Sequence, residues 1–394
     1  MKAIKTNKNS ILSWAKEIEE PALKQLINAA EHPCINMPVA VCPDVHAGFG
    51  VTIGCVLPVT DALIPNAVGV DIGCSMSAAK TNIRVEDVST ELLKKIVGGA
   101  KGYPGGIRAN IPVGQSHHKT KQDHHIFANR DMWNDTIVCA QELESAQYQL
   151  GTMGGGNHFI ELQAGDDGFL YYMIHSGSRN LGYKVGQYYD KLAKDLCSKY
   201  KQDRVVQDDL AFLPRGTKEF DMYFKEMNLC LQFAKANHER MQEILDGILR
   251  HYIPEIAFTK RWYTRHNYAA IENHKGVNYF IHRKGAIRAR VGDEQIIPGS
   301  QGTASYIVEG LGNVDSYCSA SHGSGRVMSR RQATASLNLA EEQKKMEGIV
   351  HNMTTNKQLD EAPSAYKDIE DVLKQEADLV NKIVKLKPIA VVKE

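Results

Sequence analysis

The chain has 394 residues, 43% of them hydrophobic and 24% charged, with a formal net charge of +1. Such a composition excludes a disordered or fibrous chain and supports a large buried core. The near-neutral balance exerts no global pull on nucleic acid, so any polyanion has to be held by a local patch. The first thirty residues, with Lys2, Lys5, Lys8, Glu17, Glu19 and Glu20, hold no unbroken apolar run of the signal-peptide kind. No apolar run reaches the ~18 residues that a membrane helix needs. The longest candidate, 51–73, is interrupted by Pro58, Asp61, Pro65, Asn66 and Asp71. Eight cysteines are scattered without a C-x-x-C pair, which argues against a zinc ribbon or a disulfide scaffold. A reduced, cytoplasmic protein with mostly buried thiols is expected.

In chain order, residues 1–33 predict a short strand or arm and then a helix, with Ala22, Leu23, Leu26, Ile27 and Ala30 at helical spacing and Pro33 ending it. From Val39 to Met76 the texture changes to short apolar runs, VAVCPDVHAGFGVTIGCVLPV and AVGVDIGCSM. These predict buried strands whose ends, Asp44-Val45-His46 and Asp71 to Cys74, carry polar groups. Helical spacing follows over 86–97 and 132–150. Between them lie a glycine-rich piece and the paired histidines His117, His118, His124 and His125, which are more simply solvated than metal-bound. A second glycine-rich loop, 151–157, leads into His158 and an alternating strand, and the run YYMIH delivers His175 into Ser176-Gly177-Ser178-Arg179.

The clearest helix is 217–252, where Phe220, Phe224, Met227, Leu231, Ala234, His238, Met241, Leu245 and Ile248 form one apolar stripe. His238 lies on that stripe and reads as a core or rim histidine. Segment 259–268 mixes Lys260, Arg261, Arg265 and His266 with three aromatics. Strand-like runs at 277–282 and 286–291 precede a glycine-bearing loop over 296–305 and the stretch Ser321-His322-Gly323-Ser324-Gly325-Arg326. A charged amphipathic helical region is expected over 329–387, with a short final strand IAVVKE. No repeat or linker divides the chain, so a single large mixed α+β domain spanning 1–394 is expected.

Some of these pieces are suited to chemistry. In the 321–326 stretch, glycines 323 and 325 permit close main-chain approach and positive φ, and Arg326 offers two parallel donors to an oxyanion. His322 there is open to three roles, nucleophile, metal ligand or proton carrier, against the plain alternative of a solvated surface turn. Asp71, Cys74, His158, His175 and His266 are of metal-ligand type and sit at strand ends. Together they can enclose one or two divalent ions, with the thiolate as bridge; ligand softness alone favours zinc. Glycine loops at 154–156, 299–302 and 323–325 offer amides to phosphate, yet neither G-x-x-x-x-G-K-[ST] nor K-x-D-G is present. A nucleotide would be bound some other way, with metals on its triphosphate and a histidine attacking the α-phosphorus.

The motifs PDVHAGFGVTIG, VGVDIGCSM, GTMGGGNHFIEL, HSGSRNLG, RHN, RKGA, PGSQGTAS, SHGSGRVMSR and AYKDI, spread in order from residue 43 to 369, closely resemble the RtcB family of RNA-splicing ligases. That resemblance implies GTP- and Mn2+-dependent joining of an RNA 3′-phosphate or 2′,3′-cyclic phosphate to a 5′-hydroxyl, and it replaces zinc by two manganese ions. It implies Asp71, Cys74 and His158 as ligands of one ion and Cys74, His175 and His266 as ligands of the other. It makes His322 the guanylylated residue, with Asn157, Arg179 and Arg326 beside it on the reacting phosphates. It places the nucleotide among Asn157, His158, Phe159, Ile160, Glu161, His266, Asn267, Pro298, Gly299, Ser300, Gln301, Ser305, His322, Gly323, Ser324, Gly325 and Lys393. Glu161 would select guanine through N1–H and N2–H2, which adenine lacks.

The implied partners are RNA ends and an archease-like activator, for a monomer off the membrane. Three rivals remain: a paralogue that caps 3′-phosphates without sealing, a phosphodiesterase that uses the metals but not His322, and a non-catalytic RNA-binding protein. Two departures from the family pattern, Gln301 for a common methionine and Glu394 after Lys393, bear on nucleotide affinity. The divergent 99–134 stretch leaves the RNA-binding surface undefined by sequence.

Overall fold

Two antiparallel-dominated sheets carry the fold of the protein, seen in a computed structural model that describes residues 1–99 and 105–394. The first sheet runs, in spatial order, Lys2–Lys5, Ser10–Ser13, Val39–His46, Ile53–Val59, Val277–Lys284 and Asn267–His274. The second runs Phe258–Arg265, Ser75–Arg84, Phe169–Ser176, Phe159–Gly165, Val380–Val392, Ser305–Gly310 and Glu294–Ile297. The Val39–His46 and Ile53–Val59 strands are buried along nearly their whole length, as their unbroken Val/Ile runs require of strands covered on both faces. This is a mixed α+β architecture. Among the described residues, no helix is long and apolar enough to cross a membrane.

The two sheets meet at His266. One strand ends at Arg265 in the second sheet and the next begins at Asn267 in the first, so this one residue is the hinge between them. The amide of His266 donates to Cys74 O at 3.1 Å and the amide of Gly73 donates to Asn267 O at 2.8 Å. The 71–75 turn is thereby stitched to the hinge.

The long helix forms as its stripe predicts, over Lys218–Tyr252, 35 residues with Thr217 capping the amide of Phe220 and roughly 52 Å long at 1.5 Å per residue. Its first half packs Phe220, Tyr223, Met227 and Phe233 into a core under the first sheet. Its second half packs Met241, Leu245 and Leu249 into a core under the second. One rigid rod therefore joins both cores, which makes the chain a single domain. His238 is buried on it, with Nδ1 2.8 Å from Ser77 Oγ and Nε2 3.2 Å from the carbonyl of Ser176, a satisfied core histidine as expected.

Three predicted elements take a different form. The 132–150 helix is two, Arg130–Asn134 and Val138–Gln149. The buried Glu226 carboxylate accepts from the amides of Ile137, Val138 and Cys139, capping the second helix from outside its own chain segment. The 329–387 region is not one helical stretch: Arg330–Ser336, Leu339–Lys345 and Ile369–Gln375 are separate capped turns, and the final strand is 13 residues long, Val380–Val392. Caps at Ser329, Asn338 and Asp368 start each helix anew, and pairing with Ser305–Gly310 recruits 380–386 into the sheet. The 286–291 run is a strand only over Ala286–Arg288. Residues 100–104 of the glycine-rich piece lie outside the described residues.

Asn237 ties the long helix to both loops that feed the site. Its side chain accepts from the amides of Gly151 and Thr152 at 2.7 and 3.1 Å and donates to Thr152 O and Gly177 O at 3.1 Å. Asn237→Ala strands these buried groups, and urea denaturation should show a loss of about 2–4 kcal/mol. An unchanged midpoint would contradict this assignment.

Candidate active site

The C-terminal ends of some strands and the N-terminal ends of others converge on one cavity of about 670 Å3. Cys74 precedes Ser75–Arg84, His158 precedes Phe159–Gly165, His175 closes Phe169–Ser176, and His266 occupies the hinge. The ligand atoms of Cys74, His175 and His266 lie within 4.8 Å of one another, as do those of Asp71, Cys74 and His158. Cys74 belongs to both groups: its Sγ is 3.5 Å from His158 Nε2 and 3.2 Å from His175 Nε2.

The imidazoles are set for coordination. His158 Nδ1 donates to Met153 O at 2.9 Å, which turns Nε2 toward the sulfur and fixes the ligating tautomer. The Nδ1 of His266 is buried with no protein partner, a vacant polar atom of the kind a metal site leaves. Burial, then the charge of neighbouring His158, pushes His175 well below the ordinary imidazole range. Burial, then His322, does the same to His266. Both rings are therefore neutral, the state that binds metal. Burial and the Asp71 carboxylate push the Cys74 thiol well above its usual range, so the sulfur keeps its proton until a bound cation displaces it. One carboxylate, one thiol and three imidazoles thus fit a pair of divalent ions that share the thiolate.

Next to this cluster is His322, its ring centroid 4.9 Å from that of His266. His322 Nδ1 is 2.6 Å from Asp44 Oδ2, which also accepts the His322 amide at 3.1 Å. Asp44 is fully buried. A carboxylate can only accept, so the proton of this contact is on Nδ1, and in the neutral ring Nε2 is the nitrogen with the lone pair. Gly325, at φ 71°, presses the loop against the Asp44 backbone, where a Cβ would collide. Gly323 has no positive φ; it faces Pro298, where a Cβ would sit 3.3 Å from the carbonyl, a tight contact. Sequence pattern marked Asp44 only as a strand end, because its partner is 278 residues away.

The cavity is lined by Asp71, Cys74, Asn157, Phe159, His175, His266, Asn267, Pro298 to Gln301, His322 to Arg326 and Lys393. Glu161 and Ser305 lie behind that lining, joined through Gln163, whose amide nitrogen is 2.8 Å from Glu161 Oε2 and 3.3 Å from Ser305 Oγ. Burial pushes Glu161 up to about 8, against the opposing pull of Gln163 and Lys393. Ile160 turns its side chain into the core and does not line the cavity. The Arg179 guanidinium braces the glycine loop through Thr152 Oγ1 at 3.2 Å and Gly114 O at 3.0 Å. Arg326 spends its donors on Met328 O, Glu361, Asp360 O and Tyr366, so the free bidentate fork expected of it is occupied. Arg330, Glu361 and Tyr366 also line the cavity; Arg330 and Tyr366 lay within the motifs SHGSGRVMSR and AYKDI, and Glu361 lay in none. His117 and His125 are apart from the cavity, and among the described residues the paired histidines join no metal-ligand group.

A protein that merely binds has no use for an imidazole held in one tautomer by a buried carboxylate beside such a ligand set; this is the site of an enzyme. The family described as "tRNA-splicing ligase RtcB" matches residues 25–394. The chain is 36% identical to the RNA-splicing ligase RtcB of Escherichia coli (strain K12), over 98% of each protein. It is 29% identical to the tRNA-splicing ligase RtcB of Methanococcus maripaludis, over 96% of this chain and 92% of that one. The RNA-splicing ligase RtcB homolog 1 of Entamoeba dispar is 30% identical, over 94% of this chain and 81% of the relative. The chain belongs to the RtcB family.

Two predictions concern the ligand set. Cys74→Ala should remove both ions and Asp71→Ala weaken only one, as read by metal content after dialysis; two ions retained without the thiol would contradict the shared bridge. Because the thiol must lose a proton that burial holds on, ion affinity should rise with pH across the neutral range. Calorimetry in buffers of different ionisation enthalpy should show proton release.

Proposed function

We propose that the protein is a GTP- and Mn2+-dependent RNA ligase that joins 3′-phosphate or 2′,3′-cyclic phosphate ends to 5′-hydroxyl ends through a guanylylated His322. The observation that carries this reading is the 2.6 Å pairing of His322 Nδ1 with Asp44 beside the Cys74-centred ligand set. Asp71, Cys74 and His158 would hold one ion, and Cys74, His175 and His266 the other. Bound there, manganese supplies charge neutralisation to phosphate oxygens and lowers the pKa of water. Ligand softness alone points to zinc; family membership supports manganese.

In this reading His322 Nε2 forms a bond to the α-phosphorus of GTP, and the bond to pyrophosphate breaks. Asp44 keeps the proton on Nδ1 and stabilises the positive charge that grows on the ring. An oxygen of the RNA 3′-phosphate then takes the guanylate, breaking the P–N bond and returning His322 to its neutral form. Finally the 5′-hydroxyl oxygen bonds to the 3′-phosphorus, the P–O bond to GMP breaks with its electron pair leaving on GMP, and the hydroxyl proton passes to solvent. Asn157, the His322 to Gly325 loop and Pro298 to Gln301 would surround the nucleotide, and Glu161, Ser305 and Lys393 would form its base end. Arg179 would act on RNA phosphate mainly by holding the glycine loop in place. A cytoplasmic monomer assisted by an archease-like activator completes the proposal.

Incubation with α-labelled GTP and Mn2+ should leave acid-labile guanylate on the protein, absent from His322→Ala. Asp44→Asn should slow labelling by about 100-fold or more, since the wrong tautomer would face the phosphorus. Unlabelled wild-type protein at saturating GTP would contradict the reading. Labelled protein that does not seal RNA with matched ends would make it a capping enzyme instead.

A further inference from the structure

Glu361 is a buried carboxylate, 4% exposed, on which four side chains converge: Arg326 and Arg330 from one stretch, the nearby Tyr366, and Lys393 from the end of the last strand. Its Oε1 accepts from Arg326 Nη1 at 3.0 Å and lies 2.7 Å from Arg330 Nη1. Its Oε2 lies 3.1 Å from Lys393 Nζ and accepts the Tyr366 hydroxyl. Its main-chain carbonyl accepts the Gln301 amide at 2.8 Å. All of these residues line the cavity that holds His322. Burial alone would raise this carboxyl, yet Lys393, Arg330 and Tyr366 hold it below its usual range, so it is an anion among three cations.

The arithmetic of charge gives this anion a purpose beyond cohesion. Arg326, Arg330 and Lys393 together carry three positive charges; Glu361 offsets one and Asp360, 2.9 Å from Arg330 Nη1, offsets another, leaving a net excess of one beside the cavity. Without Glu361 three cations on long side chains repel one another and lose their common anchor. With it, each has one place. Lys393 is also bound to Gly156 O at 2.8 Å and its charge acts on Glu161. Arg330 Nη2 stands beside Gly156, 3.1 Å from where a Cβ would be. One cation thus faces the base end of the cavity and the other the glycine loop.

We propose that Glu361 is the positioning residue of the nucleotide pocket: it sets the spacing between Lys393 and Arg330, and through them the affinity for a guanine nucleotide, without contributing to metal affinity. The proposal rests on the GTP-dependent reading above. A role in folding alone would lower stability and leave nucleotide affinity of the folded protein unchanged.

The test compares wild type, Glu361→Gln, Lys393→Met and their combination by calorimetry with a non-hydrolysable GTP analogue in Mn2+, and by electron paramagnetic resonance of Mn2+ alone. Glu361→Gln keeps the size and loses the charge. Its Kd for the analogue should rise by about tenfold or more, as expected for the loss of charged hydrogen-bond geometry. Its Mn2+ affinity should stay within about twofold of wild type, since Glu361 touches no ligand in the metal groups. The double variant should bind about as weakly as Lys393→Met alone, because the two act as a unit. A folded Glu361→Gln with the wild-type Kd, or losses that simply add, overturns the proposal. Should Glu361→Gln not fold, Tyr366→Phe removes one donor from the same array, and an unchanged Kd there overturns it equally. Wild-type protein that binds Mn2+ but no guanine nucleotide overturns the ligase reading and this proposal together; wild-type binding with unaffected variants overturns this one alone.

Discussion

Everything in the site is arranged around one sulfur atom. Among the described residues, Cys74 Sγ is the one ligand-type atom common to both candidate metal-ligand groups, so the two candidate ion positions cannot be built independently of each other. The surrounding structure secures that atom from several sides. The 71–75 turn is bonded to the hinge at His266 and Asn267, and the strand that follows Cys74 pairs with the strand that carries His175 near its end, Ser75 opposite Ser176 and Met76 opposite His175. Two ligands are thus neighbours across a sheet, a relation that a shift of register would destroy.

The long helix makes that arrangement stiff. Asn237 and His238, adjacent on it, bind the glycine loop before His158 and the turn after His175. A single rod buried in both cores thereby indexes two ligand-bearing loops against each other. Preorganisation of this kind would let a metal pair share a small volume with an oriented imidazole without rearrangement. Because the metal-type residues are already grouped by geometry, His322 is left with a different partner, Asp44, and a different function.

How much of this was legible in the sequence depends on the range of the interactions. The helix over 217–252 was visible because its stripe is local, and the polar strand ends at Asp71, Cys74, His158, His175 and His266 were visible because glycine and apolar runs bracket them. Asp44 and Glu361 were not recognised as site residues, since what defines them is a partner hundreds of residues away or a convergence of four segments. Arg326 was read as a free fork because its consumption by Glu361, Asp360, Met328 and Tyr366 is a tertiary fact. The 329–387 region misled through its charged periodicity: Val380 to Leu386 carries alternation enough for a strand, and only pairing with Ser305–Gly310 decides it.

The central claim is that one thiolate joins two cations directly beside an oriented histidine. Crystals grown with Mn2+ and measured at the manganese absorption edge test it most directly. Two anomalous peaks flanking Cys74 Sγ, one toward Asp71 and His158 and the other toward His175 and His266, are the predicted result. A single peak away from the sulfur, or no peak at saturating Mn2+, would contradict it.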